Sequence, residues 1–156
     1  MMLRFIYTIF LALTVVLFIG LGIDAFYPGP KMPDYPVELQ SIKPTCDSNS
    51  DQIIAQEKYD QAQREYNDAL KPYNRDVAII TFICAIIILI ISLTLLAKIQ
   101  MIADGVLLGG VFTTIYGIIR GLMSEDTKFR FIIVTFGLII ALTLGYIKFI
   151  RTKEEQ

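Results

Sequence analysis

Apolar residues in this chain gather into long unbroken blocks instead of recurring at the spacing of a half-buried helix or strand. Phe5 to Ile23 runs 19 residues without a charge, Val77 to Ala97 runs 21, and Phe131 to Ile147 runs 17. A hydrocarbon layer of roughly 30 Å is crossed by a helix rising about 1.5 Å per residue, so each block is long enough to span it. A fourth block, Ile99 to Gly121, has only 15 uncharged residues between Asp104 and Arg120, so one of those two charges lies at the polar boundary. The pattern predicts an all-α membrane protein with four transmembrane helices, at residues 1–23, 77–97, 99–121 and 129–150. A long extracytoplasmic loop holds a helical extension of the second span, and residues 151–156 form a cytoplasmic tail.

Within the third block small residues recur at every fourth position: Gly105, Gly109, Thr113, Gly117 and Gly121. Lipid tails are as apolar as leucine, so helices in a bilayer associate by close contact, and small side chains let their backbones approach. The fourth block has a shorter row, Gly137, Ala141 and Gly145, expected to face the row of the third. A step of four drifts about 40° per repeat on a helix of 3.6 residues per turn, which suits an inclined crossing. The second block, with eight isoleucines and no glycine, reads as lipid-facing on most sides.

The connection between the first two spans has two characters. Residues 24–50 carry Pro28, Pro30, Pro33 and Pro36 close together, which excludes helix and favours a stiff extended path. Phe26, Tyr27 and Tyr35 suit a headgroup boundary. Residues 51–76 then read as an amphipathic helix, with Ser48 and Asp51 as a weak capping box at its start. Gln52, Tyr59, Tyr66 and Tyr73 repeat at seven, and Ala55, Ala62 and Ala69 fall between them. The seam of Tyr59, Ala62, Tyr66, Ala69 and Tyr73 is a candidate for self-association or partner contact, set against a solvated helix lying on its neighbour. Only Asn74 to Asp76 lie between the last tyrosine of the repeat and the second span, so helix and span are expected to form one stalk, kinked near Pro72.

Composition adds little to that class. The chain has 156 residues, is 54% hydrophobic and has a formal net charge of −1, which points neither to nucleic acid nor to an anionic surface. With the N-terminus inside, the cytoplasmic flanks carry Arg4, Lys98, Lys148, Arg151 and Lys153, against Arg120, Lys128 and Arg130 opposite. That bias favours both termini in the cytoplasm. The first block is longer than the apolar core of a cleavable signal and has only Arg4 before it, so it reads as a retained anchor.

Candidate chemistry is sparse. Without histidine, and with Cys46 and Cys84 as the only cysteines, the sequence excludes a Cys/His metal cluster and a histidine-based triad, and no cofactor is implied. Cys84 reads as a packing residue. Asp104 and Arg120 are the candidate pore or ion site, since charges near hydrocarbon depth carry membrane-specific meaning. The expected role is a non-enzymatic assembly, scaffold or auxiliary subunit acting through the extracytoplasmic helix. The alternative is a homo-oligomeric ion or small-solute channel lined by the third span. The expected partners are the lipid bilayer and either further copies or another membrane protein.

Overall fold

The computed structural model describes residues 2–36, 49–94 and 99–150, with side chains described over 2–36, 53–94 and 99–147. The expected cap at Ser48, the thiol of Cys46, the reversal at Lys98 and the tail 151–156 lie outside the described residues. Four helices follow one another: α1 (Met2–Phe26), α2 (Asn49–Thr94), α3 (Gln100–Leu122) and α4 (Thr127–Ile150). Among the described residues there is no strand. All four helices are long and apolar enough to cross a membrane, as a multi-pass membrane protein requires.

One boundary differs from the hydrophobic pattern for a local reason. The charge of Asp24 ends the first apolar block, but charge alone does not end a helix. The ladder continues to Phe26, with Tyr27 N–H bonding the Ile23 carbonyl at 2.7 Å, until Pro28 disfavours the helical conformation before it. The second helix is unbroken from Asn49 to Thr94 with Pro72 inside it. Pro72 lacks the N–H that would reach the Asp68 carbonyl, so one rung of the ladder is missing there while the helix carries on.

The chain divides into two compact units. One comprises Met1–Pro28 with Asn74–Gln156, the other Gly29–Tyr73. In the first, α3 is the central helix. A Cβ built on Gly105 would meet Leu11 at 2.8 Å, and one on Gly109 would meet Val15 at 2.9 Å, both on α1. Gly110 and Gly117 seat Leu89 and Phe82 of α2, and Gly121 seats Ile133 of α4. The matched order of these contacts makes α1 and α3 parallel, with α2 and α4 antiparallel to α3. Ala78, Phe82 and Ile133 form a buried cluster flanked by Ile118, Phe129 and Ile140.

Hydroxyl groups inside this unit return their hydrogen bonds to backbone. Thr81, Thr113 and Thr114 each donate to the carbonyl four residues back, at 2.7, 2.8 and 2.9 Å. Ser92 instead donates across to the Ala103 carbonyl of α3 at 2.7 Å, an interhelical bond of the kind that holds helices together in lipid. Isoleucines 79, 83, 86, 87, 90 and 91 remain exposed, as a lipid solvent requires.

In the second unit, the extended Gly29–Pro36 segment lies along the first half of α2. Gly29 seats against the Tyr73 ring, where a Cβ would approach Cε1 and Cζ to 3.1 Å. Six residues along, the Tyr35 ring meets Tyr59 edge-on, with centroids 5.2 Å apart and planes at 72°. The spacing is consistent: six steps of extended proline-rich chain at about 3.1 Å match fourteen helical steps at about 1.5 Å. Along the solvated face, Gln56 donates to Asp60, Gln61 to Glu65 and Lys71 to Asp68, at 3.3, 3.2 and 2.8 Å.

Candidate functional site

The two membrane charges singled out by the sequence occupy different settings. Arg120 lies in the last turn of α3, where a cation suits the helix dipole. Its Nε donates to Tyr116 Oη at 3.0 Å and its Nη1 to Asn74 Oδ1 at 2.9 Å, and the guanidinium lies 5.5 Å from the centre of the Tyr116 ring. Asn74 is only 5% exposed, so this bond satisfies an amide that water barely reaches.

Around Arg120 a polar layer closes this end of the unit. Tyr27 Oη donates to Asp76 Oδ2 at 3.0 Å, and Arg75 Nε lies 3.4 Å from Asp76 Oδ1. The turn into α4 is built by Asp126, whose Oδ1 accepts the Lys128 N–H at 2.9 Å and the Phe129 N–H at 3.4 Å. This is an N-cap: two donors at the start of α4 have no intrahelical acceptor, and the carboxylate supplies one. Arg130 Nε donates to the Ser124 carbonyl, tying the first turn of α4 back to the loop.

Asp104 lies near the start of α3, beside the first turns of α1. Gly105 packs on Leu11 and Gly109 on Val15, so Asp104 stands beside Phe10 and Leu11. That is about six residues, or roughly 9 Å, beyond Arg4 along parallel helices. Asp104 is exposed on a cleft of about 260 Å³ lined with Arg4, Phe5 and Thr8 of α1 and Gln100 and Met101 of α3. By the same register Arg120 is level with Phe26, and the two charges stand at opposite ends of α3.

The small-residue rows divide among neighbours. Gly105 and Gly109 face α1, Gly117 faces α2 and Gly121 faces α4, while Thr113 is buried with its hydroxyl on the Gly109 carbonyl. The rows of α3 and α4 do not face each other along their length. Gly137 is met by Ile118, at 2.7 Å from an added Cβ, but Ala141 is exposed and Gly145 has nothing within 4 Å. The cause is the 40° drift: over four steps it carries the α3 stripe nearly halfway round the helix.

In the tyrosine seam, Tyr59, Ala62, Tyr66 and Tyr73 are half-buried and Ala69 is exposed. Tyr35 and Gly29 cover its two ends. A groove of about 450 Å³ opens beside it, between Pro33, Asp34 and Pro36 on one side and Ile54, Lys58 and Tyr59 among those on the other.

No family model, curated protein or solved structure matches this chain. Asn74, Tyr116 and Tyr35 carry contacts that the hydrophobic pattern does not single out. An asparagine three residues before a 21-residue apolar block is the one signal that points toward the Arg120 layer.

Proposed function

We propose that this chain is a non-enzymatic membrane protein that works as an assembly or auxiliary subunit, contacting its partner through residues 24–76. Its termini are cytoplasmic and that segment extracytoplasmic, as the excess of basic residues on the terminal flanks favours. The observation that carries the reading is that Gly29–Tyr73 forms a compact unit of its own, with aromatic packing between strap and helix. A connection that only joined two spans would need no such packing. The central place of α3 supports this role over a channel, since the helix assigned to line a pore spends its small residues on α1, α2 and α4.

The test is the mass of the purified chain in native-lipid discs. A species carrying a second polypeptide, lost when residues 29–73 are replaced by a flexible linker, is the expected result. A defined ring of identical subunits, with ion flux that changes in Asp104→Ala, would overturn the reading in favour of the channel.

A further inference from the structure

The strap Gly29–Pro36 covers the same face of α2 that carries the seven-residue repeat of tyrosine and alanine. An extended strap has no use for a period of seven; it advances about 3.1 Å per residue and meets helical positions two by two. A second helix does use that period, because residues repeating at seven form one seam along a coiled pair. We infer that the strap is an intramolecular competitor for this seam. While seated it keeps the seam from pairing with the same face of a second copy, and its release turns the helix into a dimerisation element. This rests on the assembly role proposed above and names the partner as the chain itself.

Three observations converge on it. Tyr59 already takes an aromatic ring edge-on, that of Tyr35, the same kind of contact that the matching tyrosine of a second copy would make. Copies anchored in one bilayer about a twofold axis pair in parallel, so tyrosine layers meet tyrosine layers and the alanines between them permit close approach. Second, the strap is lightly held. Pro30, Pro33 and Pro36 have no N–H to donate, and Tyr35 remains 51% exposed. Third, the seat at Gly29 is close: a Cβ there would come within 3.1 Å of the Tyr73 ring, which would have to shift by a few tenths of an ångström to accept it.

The experiment uses the full chain in lipid discs, in a Cys46→Ser, Cys84→Ala background with Tyr66→Cys as reporter. The strap is released in two independent ways, by Gly29→Val at one end and by Tyr35→Ala at the other. Both releases are expected to raise the yield of disulfide-linked pairs at least tenfold over the unreleased chain, with the mass of a dimer and unchanged helix content. Tyr35→Ala alters a half-exposed ring, so it reports even where Gly29→Val disturbs the fold. Equal yields with and without release, whether high or low, overturn the proposal. A different polypeptide bound to a chain that stays single after release overturns the proposal but keeps the assembly role. Chains that stay single and bind no protein in either state overturn both.

Discussion

Helices α3 and α4 carry small residues at the same spacing of four, yet use them differently. On α3 every glycine of the row meets a side chain of another helix, with three different helices as neighbours. On α4 only Gly137 does so, and Gly145 faces open space. Spacing thus reports that a helix allows close approach, and burial decides whether anything approaches. The largest expected effect of breaking this contrast is at Gly109. An added side chain there meets the branched Cβ of Val15 at 2.9 Å and the Ala12 backbone at 3.4 Å, neither of which can swing aside. Gly109→Val is expected to destabilise the fold by about 3 kcal/mol, as overpacking does, read from unfolding in mixed detergent. An unchanged midpoint would mean that α1 and α3 are not packed this closely.

Next in size is Arg120→Met, which removes the donor from buried Asn74 and from Tyr116. A loss of about 1 to 3 kcal/mol is expected, the range for a buried polar group left without its partner. If Asn74→Ala in the same background adds the full cost that it has alone, the two residues are not coupled. Smaller again is Asp126→Ala, expected to weaken the start of α4 by about 1 kcal/mol. Hydrogen exchange at the Lys128 and Phe129 amides checks it, since these lose their acceptor while mid-helix amides do not. Least is Gly145→Ala, which meets nothing and is expected to be neutral or to gain at most about 1 kcal/mol of helix propensity. A clear loss there would show that a further helix packs on this face.

Much of the architecture is legible from the chain, because four apolar blocks of spanning length leave few alternatives to four helices. The ends are less so. Asp24 interrupts the apolar run without interrupting the helix, which runs on to Phe26. Partners are the least legible. A sequence shows that Gly105 and Gly121 share a stripe, but the turn of the helix between them sends one to α1 and the other to α4. The depth of Asp104 likewise depends on which residue of α1 lies beside it, a register that spacing along one helix does not contain. The tyrosine repeat is plain in the sequence, whereas its cover by Tyr35 is a contact between distant positions that no local pattern records.

The parallel contact of α1 with α3 also has a consequence for how the protein is made. Leu11 waits for Gly105, roughly 90 residues later in the chain, which at about 5 to 20 residues per second is on the order of 5 to 20 s of synthesis. During that interval α1 is a lone apolar helix with its docking face bare, and α2 enters the bilayer before the helix that joins the two. Insertion machinery or a chaperone has that long in which to engage the first helix. The glycine contacts of α3 with α1 thus cannot form until three of the helices have been made.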